Sequence, residues 1–369
     1  ELANYLIWKI IERFKNDFID WSWEPRRQEC FDFTYSNFQI ILDSIYIRKH
    51  FPEDSRKAAI ELTTYVENEY LNFLEKIDWM DEESKAYSMK KANARKLHYG
   101  YEKEILNDSF LSHFYTNLTF KDEDFICNIL KLKKWLLNKP FSQRKSKPEH
   151  LKIKSSPFFK MIDSRASFDP TTNKIEITAA FFQNPLFNKD QPNYLNFGAL
   201  GFIYGHEIIH GFNGESSGEM LDNFWSNETN YQFKIKTKCF LDQYAKYTIR
   251  NGMKVDSNKT QNDNIADNIG YELAYLAYQS WLRDNGREPV LLGLKYTQNQ
   301  LFWISAASNL CMKFSTVAEA QRLEMDYHSP AQFRVIGAIS NVPEFARDFN
   351  CPPDSPMNPK NKCRVWRDN

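Results

Sequence analysis

The chain has 369 residues, with 48 Lys and Arg against 48 Asp and Glu, so its formal net charge is zero. That balance argues against a nucleic-acid partner, which would ask for a basic excess or stripe, and 42% hydrophobic with 15% aromatic residues excludes disorder as the main state. Only 12 glycines occur, too few for a turn-dense barrel, a propeller or a Gly-rich nucleotide fold, so the expectation is a mainly helical chain of two domains, or of one large domain with a helical appendage.

The start, Glu1 to Tyr5, has no initiator Met and no signal-peptide pattern, and reads as the inside of a longer chain or as a start left by processing. The first half then reads as helix after helix. Leu2 to Phe18 is an apolar stripe broken by Lys9, Glu12 and Arg13, and Phe38 to Tyr46 and Lys57 to Leu74 repeat at helical spacing. Asp81 opens a further helix whose first turn carries Glu82 and Glu83, where the macrodipole favours acids. No cluster of reactive groups stands out in this half, which reads as a scaffold or cap. Arg144 to Lys154 is a polar connection with a basic excess, read as a solvated linker. Lys174 to Thr178 alternates in the strand period after an Asp169-Pro turn, and helical stretches follow over 221–249, 264–284 and 293–314, before a tail with Pro352, Pro353, Pro356 and Pro359. No run approaches the roughly 18 to 20 apolar residues of a membrane span.

The chemistry lies in His206-Glu207-x-x-His210. Histidines four apart share one helix face, so both imidazoles can reach one tetrahedral zinc, one ion per chain, and Glu207 is placed to take a proton from a water activated there. A third ligand must come from elsewhere. The best segment runs from Asn262 to Gly270, where Asp263 and Asp267 are also four apart: one carboxylate can meet the metal and the other, Asp267, the far nitrogen of a ligand histidine. By itself this segment is equally a helix start rich in Asp and Asn.

With these segments in view, the chain resembles the C-terminal, catalytic half of the neprilysin family of zinc metallopeptidases. The resemblance rests on Gly205 to Phe212, Asn264 to Asn268, Leu301 to Trp303, His328 to Pro330, Phe333 to Gly337, Pro343 to Phe345, Met357 to Pro359 and Cys363 to Trp366, with weaker similarity over Arg27 to Cys30 and Trp79 to Asp81. It implies a mainly α protein with a small β-sheet, in which a thermolysin-like zincin catalytic domain over 126–369 follows a helical segment over 1–125 that is part of a lid. The implied activity is endopeptidase cleavage of peptide substrates. His206 and His210 match zinc ligands, Asp263 the third ligand, Glu207 the general base, Asp267 the carboxylate that orients a ligand histidine, and His328 the oxyanion-stabilising histidine. Arg334, Ala166 and Arg165 fall on substrate-contacting positions.

Departures from the family pattern bear on activity. The third ligand is Glu in the family and Asp263 here, which shortens its reach by roughly 1.5 Å against a zinc-oxygen bond of about 2.1 Å. Either the helix shifts inward, a water intervenes, or zinc affinity falls. Arg165 replaces an Asn that pairs with the substrate backbone, Asn213 replaces an Asp, and Ile269 replaces a Gly. The alternative expectation is therefore a weakened or inactive member acting as a peptide- or protein-binding module. The family pattern also pairs Cys239 with Cys363 and leaves Cys30, Cys311 and Cys351 with partners in an absent half. Cys127 matches nothing in it. Four Asn-x-Ser/Thr acceptors, at Asn107, Asn117, Asn227 and Asn258, with an even cysteine count, point to a secreted or ectodomain glycoprotein. Nothing in the pattern speaks to oligomeric state.

Overall fold

A computed structural model describes residues 1–18, 26–122, 124–143, 160–212 and 225–366. The basic connection from Arg144 to Lys154, Asn213 and the start of the stretch expected from Leu221 lie outside these residues. In chain order come α1 (Leu2–Phe18), α2 (Arg26–His50), α3 (Glu53–Lys76), α4 (Glu82–Asn93), β1 (Lys96–Gly100), α5 (Asp108–Phe114) and α6 (Phe125–Gln143). The second half continues with β2 (Ala166–Asp169), β3 (Lys174–Thr178), α7 (Asn193–Asn196), α8 (Phe202–His210), α9 (Asn227–Tyr244), α10 (Gln261–Asn285), α11 (Gln298–Ser308), α12 (Thr316–Met325), α13 (Ala331–Ile339) and α14 (Pro343–Asp348). The mainly helical expectation with one small sheet is met.

The chain divides into two compact units that are interleaved in sequence. One comprises residues 1–48 and 102–160. Its helices meet over aromatic rings: Tyr115 stacks on Trp135 at 5.4 Å and Phe38 lies against Tyr115 at 5.9 Å, while Trp135 Nε1 donates to the Thr116 carbonyl.

The other unit comprises residues 49–101 and 161–369. Its sheet has the order β1-β3-β2, with β1 parallel and β2 antiparallel to β3. Ile175 and Ile177 of β3 point into the core while Lys174 and Glu176 alternate outward. The β2–β3 turn follows the Asp169 signal, since the Asp169 carboxylate accepts from the Thr171 amide at 2.9 Å. β1 corrects the reading of the first half as helices alone. It is too short and too polar to be seen by alternation, and its partner β3 lies far along the chain. The Pro-rich tail is pinned: Cys363 is bonded to Cys239 across 124 residues, Trp366 packs on Phe212 at 4.2 Å, and Trp79 Nε1 donates to the Val365 carbonyl at 2.8 Å. Cys30, Cys127 and Cys311 are exposed thiols and Cys351 a half-buried one.

Candidate metal centre

Helix α8 is buried along nearly its whole length, with Phe202, Tyr204, Ile208 and Ile209 wholly enclosed, as an all-round apolar helix requires. It continues from a π-helical turn over Phe197–Gly201 and packs chiefly on α10, with α3 and β2 on its other sides. The i, i+4 spacing brings the Nε2 atoms of His206 and His210 to 2.9 Å of each other. Glu207 lies between them in sequence and is 8% exposed.

Helix α10 presents Asp263, Asp267 and Gly270 at i, i+4 and i+7, one stripe facing α8. Asp263 Oδ1 stands 3.5 Å from His206 Nε2 and 3.5 Å from His210 Nε2. These three atoms form a triangle with edges of 2.9, 3.5 and 3.5 Å. Zinc bonds of about 2.0 to 2.1 Å in a tetrahedron set ligand atoms roughly 3.3 Å apart, so the donor set and its spacing fit that ion. Asp263 comes this near the two histidines where α10 runs close to α8, the backbones of Gly205 and Gly270 meeting at the crossing.

Asp267 is wholly buried and fully used. Its Oδ1 accepts from His206 Nδ1 at 2.8 Å, and Arg334 of α13 grips both oxygens at 2.7 Å through Nε and Nη2. A carboxylate can only accept, so the hydrogen of a neutral His206 sits on Nδ1 and the lone pair on Nε2 faces the triangle. Burial alone would push the His206 imidazole down in pKa, but the Asp263 and Asp267 carboxylates outweigh it and hold it up at about 9. Burial likewise works against ionised Asp263 and Asp267. The histidines around Asp263, and Arg334 with His206 around Asp267, overcome it and hold both carboxyls below their usual range. Carboxylates and cationic groups of the centre thus hold one another in their charged forms.

His328 Nε2 lies 3.1 Å from Asp263 Oδ1, and its ring stacks on His206 at 6.1 Å. Two residues that sequence reasoning missed hold it there. Asp326 accepts from His328 Nδ1 at 2.9 Å and from the His328 amide at 3.0 Å, while Ser329 donates to the Asn264 side chain of α10 at 2.7 Å. The Asp-x-His spacing is an Asx-turn signal that could have pointed to Asp326. Arg334 was expected to contact substrate. Here two of its three nitrogens are spent on Asp267, leaving Nη1 as the nitrogen that the carboxylate does not engage.

Six of the nine expected site residues are thus joined by direct contacts: His206, His210, Asp263, Asp267, His328 and Arg334. Glu207 shares their helix. Ala166 and Arg165 are placed at the head of β2, an edge strand of the sheet. Arg165 is exposed, and its backbone exchanges bonds with Thr178.

The sequence model for peptidase family M13 matches residues 165–365, and its N-terminal counterpart, also described as peptidase family M13, matches residues 1–102. Neprilysin-2 of Drosophila melanogaster is 32% identical over 398 residues, covering 99% of this chain and 51% of that protein. Membrane metallo-endopeptidase-like 1 of Mus musculus is 34% identical over 391 residues, covering 99% of this chain and 50% of that protein. The chain therefore spans about half the length of the curated relatives it matches. A zinc metalloprotease of Mycobacterium tuberculosis, solved in an open state, shares the fold with a TM-score of 0.82 at 24% identity, over 97% of this chain and 56% of that one.

Proposed function

Since the chain belongs to peptidase family M13, we propose that it is the catalytic part of a zinc endopeptidase acting on peptides. The observation that carries this reading is the His206, His210 and Asp263 triangle, whose edges suit one tetrahedral zinc. Zinc bound there would supply Lewis-acid activation of water and of the scissile carbonyl. The remaining work falls to the chain itself. Glu207 takes the proton of the attacking water. His328, held by Asp326, donates to the oxyanion, and Asp267 and Arg334 fix the orientation of His206. The open edge of β2 at Ala166 offers backbone groups to an extended peptide.

The division into a helical lid segment over 1–125 and a catalytic domain over 126–369 belongs to the same proposal, with residues 49–101 folding in the unit that holds the centre. So does an extracellular, glycosylated setting, which the Cys239–Cys363 disulfide supports. No helix among the described residues is long and apolar enough to cross a membrane.

Arg165 favours a second reading, a silent peptide binder, because it puts a bulky cation at the head of the strand that would line the peptide. Metal analysis together with turnover of a quenched fluorescent peptide separates the two. Equimolar zinc is expected in both the parent and Glu207→Gln, with cleavage only in the parent. Equal, negligible cleavage by the two zinc-loaded proteins would leave the binder.

A further inference from the structure

Beside the metal centre, and wholly within the same unit, lies a concavity of about 370 Å³. His328 and Arg334 form part of its wall, so it opens alongside the site rather than elsewhere on the surface. Leu310, Phe314 and Leu323 give it an apolar lining, and six charged groups complete it.

Half of those charges are already answered. Arg322 pairs with Asp326 at 2.6 Å and lies over the Phe314 ring at 4.8 Å. Arg334 is taken by Asp267. Arg250, in the turn closed by the Thr248–Lys254 bridge, and Lys313, between α11 and α12, have no carboxylate within ion-pair distance among the described residues. Glu319 is the one acid on the wall left without a cation. The wall therefore carries two cations, both exposed, against the one unpaired acid, an excess of positive charge beside the apolar lining.

We propose that this concavity is a subsite for an acidic side chain, Glu or Asp, of the bound peptide, with Arg250 and Lys313 supplying the preference. The proposal rests on the peptidase reading for the placement of the peptide. Its charge preference is a property of the concavity and is measured independently of turnover.

The test uses peptides acetylated at one end and amidated at the other, so that the varied side chain is their only charge. Glu, Gln or Lys is placed in turn at each position flanking the cleaved bond. Binding to zinc-loaded Glu207→Gln protein is read by fluorescence anisotropy, and kcat/KM is read on the parent. At one position Glu should exceed Gln by about threefold to tenfold, with Lys poorest, and the difference should shrink in about 0.5 M salt. The double variant Arg250→Glu with Lys313→Glu should reverse the order in favour of Lys. Peptides bound with this charge order but never cleaved would overturn the peptidase reading and leave the subsite standing. Peptides cleaved or bound without charge order, an order that survives the reversal, or no binding at all would overturn the subsite.

Discussion

Gly205 of α8 and Gly270 of α10 face each other where the two helices cross. A Cβ built on Gly270 would lie 2.9 Å from the His206 amide nitrogen, and one built on Gly205 would lie 3.0 Å from the Gly270 carbonyl oxygen. Neither helix can carry a side chain there without moving. Asp263 is two turns from Gly270 on the same face, so the crossing sets how far the carboxylate reaches.

Gly270→Ala should therefore act on both stability and metal binding. Overpacking at a tight crossing costs about 1 to 3 kcal/mol, read by urea denaturation of the metal-free protein. The added stability on saturation with zinc should shrink as well, because α10 is pushed off the triangle. A variant that loses stability yet gains as much from zinc as the parent would show that the glycine contact does not govern Asp263.

Asp263 itself gives a sharper comparison. Its Oδ1 already sits 3.5 Å from both histidine nitrogens, so a further methylene, roughly 1.5 Å, crowds the triangle rather than completing it. Asp263→Glu should leave zinc affinity unchanged or lower, and Asp263→Ala should weaken it by at least about tenfold. Tighter binding by the Glu variant, in competition with a chromogenic chelator, would mean that the short carboxylate is the weak link after all.

The centre was legible from sequence to the extent that its geometry is local. His206 with His210, and Asp263 with Asp267, are each one helical turn apart, and the turn alone puts each pair on one face. Which nitrogen of His206 meets Asp267, and how closely Asp263 approaches, depend on a crossing of two helices far apart in sequence, where the signal was only two glycines. β1 was missed for a related reason. Five residues that alternate poorly become a strand because β3 offers a parallel edge, and that partner lies beyond any local window. Asp326 was missed although the Asx-turn spacing was present, because a carboxylate two residues before a histidine is common in surface turns.

Zinc binding should also release a proton. In the metal-free chain the carboxylates hold the His206 pKa up at about 9, so at pH 7.5 Nε2 carries a hydrogen that a metal must displace. Calorimetry in buffers of different ionisation heat should count about one proton released from this residue, with zinc affinity rising as pH climbs towards about 9. The same shift stabilises the metal-free fold. A raised histidine pKa contributes fully below the unfolded value near 6.5, and the contribution is lost as pH rises through about 9. His206→Gln should remove both the proton release and that pH dependence. Heats independent of buffer in the parent would show that His206 is neutral before zinc arrives.

A last prediction concerns residues from the half that carried no chemical signal. Glu67 of α3 accepts from Tyr204 of α8 at 2.7 Å and from Arg95 Nη1 at 3.0 and 2.9 Å. The Arg95 side chain is 3% exposed and lies over the Tyr70 ring at 4.9 Å, and Tyr99 of β1 bonds Thr63 and leans on Tyr204. Glu67 thus ties α3 and the approach to β1 to the helix that carries both histidines. Removing it leaves a buried guanidinium unpaired, which costs about 3 to 5 kcal/mol. Tyr204→Phe removes one hydrogen bond to a charged acceptor and should cost about 1.5 to 3 kcal/mol. Glu67→Ala and Tyr204→Phe are therefore expected to lower the denaturation midpoint in that order. A double variant should cost less than the sum of the two, because both act through one network. Strict additivity would mean that the Tyr204 hydroxyl and the Arg95 guanidinium are held independently of each other.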